Sequence, residues 1–428
     1  MKVLISAYGC KPDLGAEKGN GWNWAWHIAK LGHEVWVLTL IDNQEAIEQK
    51  LALQPTSNLH FIYVAVPQRI ERFYVAIPKW ITRYAISLIG HFKWQIEYIG
   101  WQQRAYKVAL QLEREHGFDI VHHVTWASIT AGSWLWRLNK PFIFGPVGGG
   151  QVAPSAFKKY FLSHQWRKEA FRSLMLKLAK FNLISRQTIG QADLILATNS
   201  ETYDIACQLS TNRVELFPVI GLPQDYLPQQ LPAKSTSKEL RLLWVGSPVA
   251  TKACPLALES LSKVSSLVSW KITIVGYSND HHDLMMLIKE LGLENKVDCK
   301  GRISWQELKN QYLNSDVFLF TSLRNSLGAQ LLEAMGCGVP VITLDHQGAR
   351  DFVPDRAGIK VPVTNPTETA KTFAQAVEYM YKNPEKRLEM GRIGYEFAQT
   401  QTWSDKALKM SRYYEELKLC DQSSSKIK

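Results

Sequence analysis

The chain has 428 residues, of which 46% are hydrophobic and 21% charged, and its formal net charge is +11. This length exceeds what one hydrophobic core ordinarily holds, so two globular domains are expected. Six scattered cysteines without metal-ligand spacing argue against a disulfide framework or a zinc site and favour a reducing, cytoplasmic compartment. The lack of any long apolar run argues against a transmembrane helix.

The first half alternates short apolar runs with amphipathic stretches, which predicts a series of strands and helices. A helix is expected at Gly21–Leu31, and one or two helices in the aromatic stretch 72–112, which is too polar to span a bilayer. The expected strands are Val3–Ala7, Glu34–Thr39, Leu59–Ala65, Ile120–Val124, Pro141–Phe144 and Leu194–Ala197.

Two glycine-rich turns follow predicted strands. Gly15–Gly21 leads into the first helix, and Gly145–Gly150 ends in three successive glycines. Glycines let the backbone approach a ligand, and a helix N-terminus offers unpaired N–H groups to an anion. The first turn lacks the GxGxxG spacing of a dehydrogenase, and a plain surface turn is its alternative. In the second turn, three successive glycines leave a backbone segment without side chains, which favours a position beside a bound ligand.

A pair of histidines, His122 and His123, ends the predicted strand Ile120–Val124. The alternation of a strand puts the two side chains on opposite faces, so one of them should point toward a ligand cleft. A lone histidine is more often structural. His123 is favoured as the cleft residue because it lies nearer the end of the strand.

A basic aromatic segment spans Phe157–Arg186, where lysines and arginines interleave with large apolar side chains. This pattern is typical of basic amphipathic helices at an anionic membrane surface. A solvated helical face over a core stripe is the alternative. No nucleic-acid-binding motif accompanies the segment, so nucleic acid is not expected as a partner.

The second half restarts the strand–helix series after residues 219–237, which are rich in Pro, Gln and Ser and predict an interdomain connection. Two such series separated by a break predict an α/β protein with two doubly wound domains. The expected strands are Leu242–Val245, Trp270–Val275, Lys296–Lys300, Val317–Phe320 and Val339–Leu344, and the expected closing helices are Ala370–Tyr381, Glu385–Ala398 and Ser404–Leu417.

Glu333 is the most informative single residue, because its neighbours along a predicted helix are almost all apolar. A carboxylate there is costly to bury unless a partner satisfies it. A vicinal diol such as that of ribose matches two carboxylate oxygens with two O–H donors. Partial exposure or an arginine partner are the alternatives.

The segment Ser326–Asp345 resembles the nucleotide-sugar site of retaining glycosyltransferases of family four, which have the GT-B fold. Their pattern places two glutamates with seven residues between them, and Glu333 matches the second while Asn325 stands at the first. In that family the second glutamate holds the donor ribose, and the first contacts the transferred sugar. The resemblance therefore implies donor binding more firmly than ordinary catalysis.

The resemblance follows nearly the whole chain in order and implies roles for further residues. Lys252 matches a diphosphate-binding lysine, whereas Ser247 stands where the family has an arginine, and Arg324 is a candidate to supply the missing charge. The implied catalytic residues are His123, Lys252 and Asn325, and Gly148, Gly149 and His122 are implied on the acceptor side. The implied donor-binding residues are Glu333, Ser247, Gly246, Gly328, Leu327, Arg302, Ile303, Gly15 and Glu17.

The expectation is thus an α/β protein of GT-B architecture, with two doubly wound Rossmann-like domains facing a cleft. Residues 1–221 would form the acceptor side and 238–400 the nucleotide-sugar side, and 401–428 would return as a helix to the first domain. The expected activity moves a sugar with retention from a nucleoside-diphosphate sugar, such as a UDP-sugar, to a polysaccharide or lipid-linked acceptor.

No cofactor or metal is expected for this activity, because the sequence offers no acidic metal-binding pair of the DxD kind. The expected location is the cytoplasm, peripherally at the inner face of an anionic membrane. Two alternatives are a catalytically impaired sugar-nucleotide-binding protein, suggested by Asn325 and Ser247, and a GT-B sugar-nucleotide epimerase.

Overall fold

The structure is a computed structural model that describes residues 1–13, 15–67, 79–178, 181–231 and 238–425, with the backbone alone at 16, 79–95, 424 and 425. The chain divides into two compact units. The first comprises Met1–Gly150, Ala170–Ile220 and Trp403–Lys428, and the second Gln151–Glu169 and Gly221–Thr402.

The first unit is built on a parallel sheet of 7 strands in the order β3-β2-β1-β4-β5-β6-β7. The elements up to residue 216 are β1 (Lys2–Ala7), α1 (Ala16–Lys30), β2 (Glu34–Leu40), α2 (Gln44–Leu53), β3 (Leu59–Val64), α3 (Lys79–His116), β4 (Ile120–Thr125), β5 (Phe142–Val147), α4 (Ser163–Lys177), α5 (Leu183–Gln191), β6 (Leu194–Ala197), α6 (Ser200–Leu209) and β7 (Arg213–Leu216).

The second unit is built on a parallel sheet of 6 strands in the order β10-β9-β8-β11-β12-β13. The elements from residue 240 onward are β8 (Leu240–Val245), α7 (Cys254–Leu261), β9 (Trp270–Val275), α8 (His282–Glu290), β10 (Val297–Cys299), α9 (Trp305–Leu313), β11 (Val317–Phe320), α10 (Ala329–Gly336), β12 (Val341–Leu344), α11 (Gln347–Phe352), β13 (Gly358–Val361), α12 (Pro366–Lys382), α13 (Pro384–Gln399) and α14 (Trp403–Ser425).

The predicted fold of two doubly wound Rossmann-like sheets is confirmed, and each predicted strand is present. Two strands that the sequence did not predict, β7 and β13, lie at sheet edges and are less buried than the central strands. Central strands such as β4 and β11 are buried along their whole length, as expected for a parallel sheet covered on both faces. Helix α14 belongs to the first unit, where it packs on α1.

The first helix starts earlier than predicted, since α1 begins at Ala16 with Gly15 as its N-cap. The expected glycine-rich turn Gly15–Gly21 is therefore mostly the beginning of a helix. Packing explains the glycine at 21: a Cβ there would lie 2.2 Å from the carbonyl oxygen of Gly9. Close approach of two backbone segments, not a ligand, requires this glycine.

Residues Gln151–Glu169 leave the first half of the chain and join the second unit, an excursion that the expected boundaries do not contain. Phe157 and Phe161 are buried in the same hydrophobic core as Cys254 and other α7 residues. At the start of the basic aromatic segment, Phe157 is therefore a core residue, as the alternative of a core stripe under a solvated face predicted. Residues 179 and 180 of that segment lie outside the described residues, as do 72–78 of the aromatic stretch.

No helix among the described residues has both the length and the apolar character needed to cross a membrane.

Candidate functional site

The loops that follow β8 and β11 are joined to each other at the carboxyl edge of the second sheet. The Thr321 hydroxyl lies 3.1 Å from the carbonyl oxygen of Lys252 and 3.0 Å from that of Ala253. The N–H of Leu323 donates to the carbonyl of Thr251 over 2.8 Å. The loop that carries Lys252 is therefore held against the loop that leads to Asn325.

Lys252 is partly buried, with its Nζ 5.6 Å from the centroid of the Phe320 ring. Burial is the main cause that lowers the pKa of Lys252 to about 8, and the nearby Arg324 adds to the shift. A cation that is partly desolvated and repelled by a second cation gains when an anion binds beside it. The surroundings of Lys252 therefore suit an anionic group such as a diphosphate.

Arg324, the candidate for the charge missing at Ser247, already has a partner. Its Nε lies 3.1 Å from Oε2 of Glu169, a buried carboxylate at the end of the 151–169 excursion. Ser247 itself is exposed, and Gly246 before it is buried. The positive charge at this edge is thus shared between Lys252 and an arginine that a protein carboxylate partly neutralises.

Asn325 lies in a loop that the side chain of Gln347 holds. The Asn325 N–H donates to Oε1 of Gln347 over 2.8 Å, and Nε2 of Gln347 donates to the carbonyl of Val152 over 2.8 Å. Gln347 is buried with a positive φ of 52°, a conformation that persists only where the surroundings fix it. The Nδ2 of Asn325 is buried and has no hydrogen-bond partner among the described residues.

Leu327 and Gly328 lead from this loop into α10, whose N-cap is Gly328. Leu327 is buried. A Cβ on Gly328 would lie 2.9 Å from Nδ2 of Asn325, so this loop depends on a small residue at the helix start. The unpaired N–H groups at the N-terminus of α10 give this edge an additional preference for negative charge.

Glu333 lies within α10 and is partly buried. Its Oε2 accepts a hydrogen bond from the Tyr312 hydroxyl over 3.1 Å, and its Oε1 accepts one from the Trp305 indole N–H over 3.4 Å. Burial raises the pKa of Glu333, and these two donors oppose the rise. No basic side chain among the described residues forms an ion pair with it, so the arginine alternative finds no support.

The implied donor-binding residues Arg302 and Ile303, which the resemblance places near the nucleotide base, follow β10 and precede Ser304, the N-cap of α9. Arg302 is exposed and Ile303 partly buried. Ser304 and Glu307 form a capping box, which fixes where α9 starts and places Trp305 in its first turn. Arg302, Ile303 and Trp305 therefore lie together at the start of α9, one turn or less from each other along the chain.

In the first unit, His123 is fully buried on β4. Its Nε2 lies 3.0 Å from the hydroxyl of Tyr98, and its Nδ1 has no hydrogen-bond partner among the described residues. Burial, together with the neighbouring His122, lowers the pKa of His123 to about 3. The ring is therefore neutral at physiological pH and acts through hydrogen bonding.

His122 points to the opposite face of β4, as the alternation predicts. Its Nε2 donates to the carbonyl of Gly145 over 2.7 Å, so its Nδ1 accepts from the hydroxyl of Tyr414 on α14, also over 2.7 Å. Burial lowers the pKa of His122 to about 4. With both nitrogens used, this ring joins α14 to the glycine turn after β5.

The glycines of that turn have specific backbone partners. Gly148 exchanges hydrogen bonds with the 127–129 segment. The Ile129 N–H donates to the carbonyl of Gly148 over 2.9 Å, and the Gly148 N–H donates to the carbonyl of Ala127 over 3.0 Å. Gly149 has a φ of 108° and accepts a hydrogen bond from Arg172 over 2.6 Å. Both implied acceptor-side glycines are thus part of a fixed backbone turn.

Gly15 and Glu17 begin α1 in the first unit. The Glu17 carboxylate is exposed and accepts a hydrogen bond over 2.9 Å from the N–H of Trp126, a residue with a positive φ of 57°. Trp126 also accepts a hydrogen bond at its carbonyl from Tyr98 over 3.1 Å. Glu17 therefore helps to hold a strained loop directly after β4, three residues from His123.

The structure brings Lys252, Asn325 and Gly328 to one edge of the second sheet, with Glu333 farther along α10. Gly15, Glu17, His122, His123, Gly148 and Gly149 belong to the first unit. Sequence reasoning missed Glu169, Trp305 and Tyr312, and only Trp305 carried a signal, because a capping box marks the helix that it begins. Groups of three or more metal-ligating side chains do not occur in the described part of the chain.

This architecture of two parallel Rossmann-like sheets with helices is the GT-B fold, and solved structures confirm it. The chain aligns with sucrose-phosphate synthase from Thermosynechococcus elongatus at a TM-score of 0.65 and 18% identity, over 97% of this chain and 98% of that one. It aligns with Anabaena HepE in complex with UDP at a TM-score of 0.60 and 14% identity, over 97% and 99%.

Sequence comparison finds similarity to glycosyltransferases. Residues 229–397, which contain Lys252, Asn325 and Glu333, match the family described as Glycosyl transferases group 1. The chain is also 28% identical over 312 residues to a D-inositol 3-phosphate glycosyltransferase from Paenarthrobacter aurescens, covering 69% of this chain and 72% of that protein. The match to the group 1 glycosyltransferase family thus lies within the second unit, from residue 229 to residue 397.

Proposed function

We propose that this protein transfers a sugar with retention from a nucleoside-diphosphate sugar to a glycan or lipid-linked acceptor, without a metal. The observation that carries the proposal is the edge of the second sheet. A partly buried lysine and the N-terminus of α10 lie there on adjoining loops, and α10 carries a carboxylate with no ion-pair partner among the described residues. Retention rests on the resemblance to family four.

Lys252 and the N-terminus of α10 supply positive potential for the diphosphate leaving group. Negative charge on that group grows as the sugar leaves, so a fixed cation in a partly desolvated position stabilises the transition state more than the ground state. The lowered pKa of Lys252 is the cost of holding this cation before the anion arrives. Glu333 would then bind the ribose, and the backbone at Arg302 and Ile303 the base.

A uridine nucleotide is the first candidate ligand, because Anabaena HepE, which shares this fold, binds UDP. Asn325 provides an amide donor for a hydroxyl of the transferred sugar in place of the family's carboxylate. We assign the acceptor to the first unit, as the resemblance to family four implies.

A thermal-shift panel of UDP- and GDP-sugars tests the donor assignment, because a ligand that binds only the native state raises the melting temperature. We expect stabilisation by at least one UDP-sugar and by UDP, and release of free sugar or glycoside in product analysis. If no nucleotide sugar raises the melting temperature, the proposal is refuted. Binding without turnover would favour the impaired binder that Asn325 and Ser247 suggest, and conversion of the donor sugar without acceptor would favour the epimerase.

We further propose that the first unit binds the inner face of an anionic membrane through residues 174–178 and 181–183. Five large apolar side chains there are 39–69% exposed: Leu174, Met175, Leu178, Phe181 and Leu183. Lys177 lies among them and Arg186 follows them, and both are also exposed. An apolar patch bordered by cations matches the surface of an anionic bilayer.

Sedimentation with vesicles of anionic and of neutral lipid tests this surface. We expect binding to anionic vesicles that weakens as salt rises, because exposed charges are screened within about 10 Å at 0.1 M salt. The double variant L174E/F181E should lose binding, whereas L53E, at an 80% exposed leucine of the same unit, should keep it. If the two variants bind anionic vesicles equally well, the segment is a solvated helical face and not a membrane-binding surface.

A further inference from the structure

We propose that Trp305 and Tyr312 are positioning residues that hold the Glu333 carboxylate for a ribose diol and so make the site selective for ribonucleotides. The inference rests on the proposed function, since it takes the ligand to be a nucleotide. It concerns two side chains of α9 that act through a third on α10.

The two donors approach different oxygens of one carboxylate. The indole N–H of Trp305 lies 3.4 Å from Oε1, and the hydroxyl of Tyr312 lies 3.1 Å from Oε2. A carboxylate oxygen has about two lone-pair sites, so each oxygen keeps one site for a ligand. Because each oxygen accepts one of these hydrogen bonds, the two donors also fix the rotation of the carboxylate plane.

Neither donor is free to turn away. Tyr312 is fully buried, and its ring packs at 5.5 Å against Phe318 of β11. Trp305 packs at 4.9 Å against the ring of Tyr226, which is itself buried and has its hydroxyl 3.5 Å from the backbone carbonyl of Glu333. The same α10 residue is thus held through its backbone and both of its carboxylate oxygens.

Trp305 combines this fixed orientation with 46% exposure. A large aromatic side chain that packs on one face and stays open on the rest presents contact area at little entropic cost. Arg302 and Ile303, the implied base-binding residues, precede it by three residues or fewer. The exposed part of the indole is therefore placed to touch a nucleoside whose ribose reaches Glu333.

The electrostatics favour a neutral diol as the ligand group. Burial raises the pKa of Glu333, and the two neutral donors, with no cation paired to it among the described residues, oppose that rise. A carboxylate stabilised in this way still gains from two more O–H donors, which the 2′- and 3′-hydroxyls of ribose supply together. Removal of one hydroxyl should remove one charge-assisted hydrogen bond.

Titration calorimetry with UDP and 2′-deoxy-UDP tests the inference through the ratio of their two dissociation constants. The unaltered protein should bind UDP about tenfold or more tightly than 2′-deoxy-UDP, as expected for one hydrogen bond to a charged group. W305F keeps an aromatic ring but loses the N–H, and Y312F loses the O–H. Both variants should bring the ratio toward one. Q306A, at the exposed neighbouring position on α9, should leave it unchanged.

The ratio separates positioning from general stabilisation, because a change that only loosens the packing of α9 on α10 weakens both ligands alike. An unchanged ratio in W305F, with a normal circular dichroism spectrum, overturns the inference. If Y312F does not fold because Tyr312 is buried, W305F alone tests the inference, since Trp305 is partly exposed. If the unaltered protein binds neither nucleotide, the proposed function fails instead.

Discussion

The carboxyl edges of the two sheets use ionisable residues in opposite ways. In the first unit, His122 and His123 are fully buried, and burial lowers their pKa values to about 4 and about 3. In the second unit, Lys252 and Glu333 are only partly buried, and their pKa values move toward neutrality from either side. The two histidines of the first edge act as neutral hydrogen-bonding groups, whereas Lys252 and Glu333 at the second edge present charge.

The difference follows from where the residues lie in each unit. The two histidines belong to β4, a central strand that is covered on both faces, so their charged forms are too costly. Lys252 lies in a loop after β8, and Glu333 on a helix beside partly exposed Trp305. Loops and helix faces at a sheet edge keep some solvation, so charge persists there and can meet a charged ligand.

The largest expected effect is on the charged edge. Lys252→Met should lower kcat by about 10²–10³-fold, as is typical when one preorganised group that stabilises developing negative charge is removed. UDP binding should weaken much less. Initial rates and calorimetric Kd values measure the two effects, and equal losses in both would mean that Lys252 merely binds the diphosphate.

The pH dependence of kcat/KM gives a second view of the same lysine. The protonated form should be the active one, and the pKa of Lys252 lies at about 8, so kcat/KM should fall as pH rises through about 8. Arg324→Met removes the neighbouring cation and should move this fall to higher pH. R356M, at an exposed arginine of the same unit, is the control. A profile that stays flat through this range would contradict the assignment.

Glu333→Ala should weaken UDP binding by about 2–4 kcal/mol, because two charge-assisted hydrogen bonds to ribose would be lost. Calorimetry measures the change, and unchanged affinity would refute the ribose role.

Glu333→Gln has a separate expected effect on stability. The raised pKa means that the folded state binds a proton more tightly than the unfolded state, so stability falls as pH rises between the two pKa values. The glutamine variant should lack that fall.

On the neutral edge, the expected effect is on stability. Tyr414→Phe should lower the free energy of unfolding by about 1–3 kcal/mol, because the Nδ1 of His122 would remain buried without its donor. Urea denaturation followed by tryptophan fluorescence measures this change. Tyr379→Phe, at an exposed tyrosine, should leave the curve in place. A Tyr414→Phe protein of normal stability would show that the contact between α14 and His122 contributes nothing.

The smallest expected effect concerns Asn325→Glu. An amide can donate to a sugar hydroxyl, whereas a carboxylate can only accept, so the substitution should reorder the preference among UDP-sugars by about 1 kcal/mol. Relative kcat/KM values for several donors provide the measurement. If the variant ranks every donor as the parent does, Asn325 does not touch the transferred sugar.

Local sequence was enough to predict the buried central strands and to show that the Glu333 carboxylate needs a partner. Continuous apolar runs such as Val317–Phe320 predicted the central strands, because a strand buried on both faces needs such a run. The edge strands β7 and β13 gave no comparable signal because they are less buried. The apolar neighbours of Glu333 predicted that its carboxylate needs hydrogen-bond partners, and the alternation of β4 predicted that the two histidines face opposite ways.

Only the tertiary structure decided which partners these residues have. Trp305 and Tyr312 reach Glu333 from another helix, Tyr414 reaches His122 from the last helix of the chain, and Glu169 reaches Arg324 from an excursion of the first half. A local pattern reports how buried a residue will be, because its neighbours in sequence share its environment. It does not report which distant side chain arrives there, because chain topology sets that choice.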